Sequence, residues 1–134
     1  MRYLLGAMIV LAVVDAVLHF AIDAFVNRTF TNLPYGPLFV ALPIGYIVLI
    51  VLLLRSRSAS ITTQRLVTAA LVIYAAIPLV AYFALTGGRY NPFQLATISK
   101  PIEVALIVVS LIYFVLLGRE QPVTGETSAP AAAG

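Results

Sequence analysis

Three ionisable side chains share one apolar stretch, VVDAVLHFAIDAFVNR: Asp15, His19 and Asp23, each four residues from the next. On a helix turning roughly 100° per residue, each such step drifts by about 40° and rises by about 6 Å. The three therefore lie along one stripe, which Asn27 continues. A second group, Lys100 and Glu103, stands three residues apart in ISKPIEVALIVV, again on one helical face. Several chemistries are open to these residue types. Two aspartates, a glutamate and a histidine can supply oxygen and nitrogen ligands to a divalent ion. Carboxylates and a histidine on facing helices build such sites in helix bundles. A mid-helix carboxylate beside a histidine is equally the basis of a proton relay. His19 oriented by Asp15 could act as a general base. Lys100 paired with an acid could simply fix helix register.

The elements that carry these residues follow from composition. The chain has 134 residues, of which 62% are hydrophobic and only 10% charged, with a mean hydropathy of +1.06. A soluble domain averages about half apolar and about a quarter charged. This excludes a soluble globular domain, a disordered chain, a collagen and a coiled coil. The net charge of +3 is spread over scattered basic residues rather than a stripe, which excludes a nucleic-acid partner. Without cysteine there is no disulfide framework, thiolate zinc site or dithiol redox chemistry. The remaining class is a small integral membrane protein.

Hydropathy gives four spans, at 3–26, 38–54, 66–86 and 101–117. A bilayer core of about 30 Å takes about 20 apolar residues per helix. Spans two and four are short by that measure. They can lengthen outward to Tyr35 and to Asn91, which precedes Pro92 in a favourable helix start. In lipid the backbone bonds to itself, so the spans are helices, and the alternation of barrel strands is absent. Arg2, Arg55, Arg57, Arg65 and Arg119 fall on one side, against Arg28, Arg89 and Lys100 on the other. The basic bias places both termini in the cytoplasm. The first apolar run continues past Asp15 to Val26 with no A-x-A cleavage site, so it reads as a span rather than a removable leader. Residues 118–134, GREQPVTGETSAPAAAG, read as a disordered cytoplasmic tail without a lipidation signal. The expected fold is all-α: a multi-pass four-helix bundle of the cell membrane.

Depth then organises the polar residues. Asp15 lies near mid-span, with His19 and Asp23 successively closer to the outer side. Span four descends as span one rises, so Glu103 reaches the level of His19 or Asp23. Lys100 reaches Asp23 or the interface. A charged residue at the bilayer centre costs about 2.5–3.5 kcal/mol on insertion scales, so the stripe faces protein or a wet cavity. The expectation is an outward-facing polar pocket between spans one and four. It is built from Asp15, His19, Asp23, Lys100 and Glu103, with Tyr46, Tyr82 and Arg89 as lining. The inner half is expected to be dry. No cofactor or metal is assigned, since the chain has one histidine, Lys100 stands close, and D-x-x-x-H-x-x-x-D is no metal signature. No nucleophile is placed for catalysis, Ser110 lying too deep, so an enzyme is not expected. The functional expectation is an accessory subunit or small-ligand binder, with the bilayer and a second copy or a larger membrane complex as partners. The alternative is a proton- or ion-coupled small transporter acting as a homo-oligomer.

His19 in the first span, Leu38–Phe39 opening the second and Lys100–Glu103 opening the last resemble small four-span bacterial membrane proteins of unassigned function. The resemblance covers most of 10–117 and implies topology without chemistry. In size and in an acidic residue on the first span, the chain is also similar to small multidrug transporters. Its short spans and Lys100–Glu103 pair depart from them. LPYGPLFVALPIGYIVL, from Leu33, is similar to the second span of the fluoride-channel family. Ala41, however, stands where that family has a polar asparagine, and no Phe-Thr-Thr-Phe-Ser stretch follows. A reporter fused to the C-terminus is expected to be active only on the cytoplasmic side; activity on the outer side would invert the depth order.

Overall fold

The computed structural model describes residues 1–26, 36–88 and 95–119. Side chains at 22–26, 36–40, 85–86 and 95–96 lie outside that description, as do Arg89 and residues 120–134. The described residues form four helices: α1 (Arg2–Val26), α2 (Gly36–Ser56), α3 (Ile61–Thr86) and α4 (Leu95–Arg119). Three stretches are long and apolar enough to cross a membrane, Arg2–Ala21, Ile61–Ala84 and Thr97–Arg119, and Ala41–Ser56 of α2 is a shorter apolar helix. The helices run past the limits that hydropathy alone assigns. α3 begins at Ile61 rather than 66, and α4 at Leu95 rather than 101, which puts Pro101 inside the helix. Gly118 and Arg119 still belong to α4, although the tail was expected to start at 118.

Local chemistry sets the ends of α3. Ser60 caps its N-terminus by accepting a hydrogen bond from the Thr63 N–H at 3.2 Å, satisfying one of the free donors of the first turn. The Gln64 side chain reaches back to the Ala59 carbonyl at 3.1 Å. At the other end Gly87 and Gly88 take positive φ of 62° and 80°, and the Gly88 N–H closes onto the Phe83 carbonyl at 2.9 Å. This left-handed closure is cheap only for glycine.

The helices pack as a ring, each against its two neighbours: α1 on α2 and α4, α3 on α2 and α4. Buried positions recur at alternating steps of three and four. They are Leu5, Met8, Ala12, Asp15 and His19 on α1, then Tyr46, Leu49, Leu53 and Ser56 on α2. Thr68, Leu71 and Ala75 continue the pattern on α3, as do Glu103, Leu106, Ser110, Tyr113 and Leu117 on α4. A period near 3.5 keeps one stripe of each helix turned to its neighbours along the whole length. Leu, Met and Ala fill one end of the interior, and Asp15, His19, Lys100 and Glu103 lie toward the other. The outward faces carry Val10, Val17, Phe20, Ile47, Ile73 and Val80, all exposed. Soluble proteins distribute these residue types the other way, with charge outside and apolar side chains within.

One close contact ties α2 to α3. Tyr74 lies directly on Gly45, and a Cβ at that position would overlap the phenol ring and its hydroxyl. The Tyr74 hydroxyl shares its proton between the Ala41 and Leu42 carbonyls, at 3.0 and 3.1 Å. Pro43 lacks the N–H that would join the helical ladder at this turn of α2. Gly45→Ala is expected to destabilise the protein by about 1–3 kcal/mol, the usual cost of overpacking. Unfolding in detergent checks this, and the same substitution in a Tyr74→Ala background should cost measurably less.

Candidate functional site

The buried stripe of α1 brings Asp15 and His19 inward one turn apart. Small neighbours, Ala12 and Ala16, are buried beside them and permit close helix approach. His19 Nδ1 lies 2.9 Å from the backbone carbonyl of Asp15 and 3.4 Å from its Oδ1. A carbonyl oxygen only accepts, so the Nδ1 bond puts a proton on Nδ1; Nε2 is then a lone pair in the neutral ring and a donor in the imidazolium. That Nε2 faces Glu103 Oε1 on α4 at 3.5 Å.

Glu103 is held from its own helix. Its Oε1 accepts from Lys100 Nζ at 2.6 Å and from the Ser99 hydroxyl at 3.1 Å. These residues lie one turn before it, three and four positions back, so helical spacing itself builds the clamp. Lys100 Nζ reaches across to the Pro78 carbonyl of α3 at 3.5 Å and stands 5.4 Å from the centre of the Tyr82 ring. A cation over an aromatic face gains further attraction. On the α2 side the Tyr46 ring lies 6.2 Å from His19, and Tyr74 meets Tyr46 edge-on at 5.1 Å. All four helices thus contribute to one polar layer.

The layer is closed to solvent: Asp15 and Glu103 are 0% exposed, His19 3% and Lys100 6%. The outer end of the pocket expected from depth, with the Asp23 side chain and Arg89, lies outside the described residues. Several polar atoms inside the layer remain unsatisfied. Asp15 Oδ1 and Oδ2, Glu103 Oε2 and the Tyr46 hydroxyl are buried without a hydrogen-bond partner among the described residues. Buried polar atoms in folded proteins nearly always have one, so each exception calls for an explanation. Charge gives the same imbalance. With both acids ionised and His19 neutral, Lys100 offsets one of two negative charges. Asp15, His19 and Glu103 each offer a ligand atom, and these atoms all lie within 4.8 Å of one another. Such an arrangement can accept a cation.

Of the five residues expected in the site, Asp15, His19, Lys100 and Glu103 come together here. The side chain of Asp23 and the whole of Arg89 lie outside the described residues. Tyr46 packs on His19, and Tyr82 lies beneath Lys100. Sequence reading passed over Ser99, although its place four residues before Glu103 was visible. It also gave Gly45 no role, because nothing in the chain announces that Tyr74 will cover it. The inner half is less dry than expected. Thr68 and Ser110 are fully buried, with Thr68 bonding the Gln64 carbonyl at 2.7 Å and the Gln64 side chain meeting the Tyr113 hydroxyl at 3.4 Å. The chain matches no protein-family model, no curated protein and no solved structure.

Glu103→Gln removes the anion facing the buried Lys100 ammonium. A loss of about 3–5 kcal/mol is expected, as for other broken buried pairs. Replacing both, Lys100→Met with Glu103→Leu, should recover most of it in the same unfolding assay.

Proposed function

We propose that this protein is a four-span integral membrane protein, both termini cytoplasmic, that binds a small cationic ligand inside the helix ring. Two kinds of support bear on the membrane. Three helices have the length and apolarity to cross a bilayer, and the outward faces of the ring are apolar while its interior holds the charges. Only lipid makes that distribution favourable, since in water it exposes a large apolar surface around a costly polar core. The described segments are helices, the form whose backbone bonds to itself as hydrocarbon requires, and Tyr74 and Lys100 bond carbonyls beside or at the prolines of neighbouring helices.

A single observation carries the ligand: the unpartnered carboxylate of Asp15. Among the described residues both oxygens are buried and neither completes a hydrogen bond: His19 Nδ1 stands 3.4 Å from Oδ1, and the positive charge on Lys100 is engaged by Glu103. A group that served only to hold helices together would be paired, as Glu103 is. An unpaired buried carboxylate is unfavourable in itself and is retained for what it binds. The protein then belongs with small-ligand binders of the membrane rather than with passive bundles. The closed packing means that the ligand, once bound, is enclosed by protein on all four sides.

Asp15→Asn distinguishes these roles without added ligand. A structural pair, when broken, should cost about 3 kcal/mol or more. The binding reading predicts equal or higher thermal stability in detergent at neutral pH, because the substitution relieves an uncompensated charge. A clear loss of stability would remove the binding reading in favour of a structural bundle.

A further inference from the structure

We infer that Asp15, His19 and Glu103 are ligands for a single divalent transition-metal ion. This rests on the cation-binding reading and names its ligand. Three features lead to it, each at a different residue.

The first is the orientation of His19. Metal-binding histidines characteristically give their other ring N–H to a carbonyl or carboxylate, which fixes the tautomer and aims the free nitrogen at the ion. His19 Nδ1 bonds the Asp15 carbonyl at 2.9 Å, and Nε2 points into the layer toward Glu103. The second is the division of labour at Glu103. Lys100 and Ser99 both donate to Oε1, while Oε2 is buried with no partner. Ligating carboxylates are oriented in this way by donors on the oxygen that does not bind. Lys100 is then a positioning residue rather than a competitor for the site. The third is Asp15, whose two oxygens are buried in the layer without a hydrogen bond of full geometry among the described residues, the nearest ring nitrogen being His19 Nδ1 at 3.4 Å.

The distances suit a first-row ion. Ligands about 2.0–2.2 Å from such an ion stand roughly 3.4 Å apart in a tetrahedral site. One ligand atom from each of the three residues lies within 4.8 Å of the others, so an ion would draw them inward by about 1 Å to reach that spacing. The donor set selects the class. One imidazole nitrogen with two carboxylates suits zinc, iron, cobalt or manganese. Magnesium and calcium ask for six or more oxygens and make no use of the nitrogen. The absence of cysteine keeps copper(I) and iron–sulfur chemistry out.

The full-length protein, purified in detergent without chelators, is titrated with Co²⁺ alone and followed by visible absorption. Zn²⁺ is then added in competition. The expected result is a d–d spectrum saturating at about one Co²⁺ per chain and abolished by one equivalent of Zn²⁺. Asp15→Asn and His19→Gln should each weaken Zn²⁺ binding at least tenfold, while Ser110→Ala, a buried polar residue outside the layer, leaves it unchanged. The wild-type titration stands alone should a variant fail to fold. Wild-type protein that takes up neither ion overturns the metal assignment, as does a spectrum that survives His19→Gln. If that happens while Asp15→Asn keeps or gains stability, a cation site remains and its ligand is not a metal. If Asp15→Asn instead loses stability, the cation-binding reading falls as well.

Discussion

The two oxygens of Glu103 divide the polar layer between them. Oε1 takes the Lys100 ammonium and the Ser99 hydroxyl from its own helix, and Nε2 of His19 approaches the same atom from α1. Oε2 has no partner. A buried carboxylate is tolerable only when neutralised and hydrogen-bonded, and Glu103 meets that condition on one side alone. Every other member of the layer follows from this half-satisfied state. Lys100 is spent on Glu103 and cannot reach Asp15 as a second neutralising charge. His19 has given its Nδ1 proton to a backbone carbonyl and turns Nε2 toward Glu103. Beside the Asp15 carboxyl stands only that same Nδ1, at 3.4 Å, among the described residues.

The helices exist to hold that layer, and their faces are divided accordingly. The alternating three-and-four spacing of buried positions points one stripe of each helix inward, and the polar residues occupy that stripe as Leu, Met and Ala do elsewhere along it. Tyr46 connects the layer to α2, and Tyr74, seated on Gly45, connects α2 to α3. The Ala41 and Leu42 carbonyls beside Pro43 receive the Tyr74 hydroxyl, which ties α3 to α2 at this turn. The site is therefore braced from all sides before any ligand arrives, which lowers the ordering cost of binding one.

Much of this was legible in the chain. Two spacings, i to i+4 and i to i+3, put Asp15 with His19 and Lys100 with Glu103 on common faces, and hydropathy alone orders the four helices. Helix ends were less legible. Ser60 and the Gly87–Gly88 pair stop or start α3 by capping chemistry that a hydropathy window smooths over. Pro101, which read as a kink or a helix start, sits inside α4, because that helix begins at Leu95, within the outward extension toward Asn91. What no spacing could reveal is which oxygen of each acid is occupied. That depends on Pro78 and Tyr82 on α3 and on a histidine tautomer fixed by one backbone carbonyl. Polarity on a face does not say how deeply facing helices bury it, and here Asp15 and Glu103 are fully buried.

The central claim is that His19 leaves a free nitrogen lone pair in a buried, acceptor-rich layer. The protein has a single histidine, so one ring reports the whole site. The direct measurement is the ¹⁵N side-chain spectrum of His19 in metal-free protein at neutral pH. The account predicts the neutral tautomer protonated at Nδ1, with Nε2 unprotonated. A proton on Nε2, donated to Glu103, or an imidazolium protonated at both nitrogens, would contradict it: the layer would then satisfy its own charge and have no place for a cation.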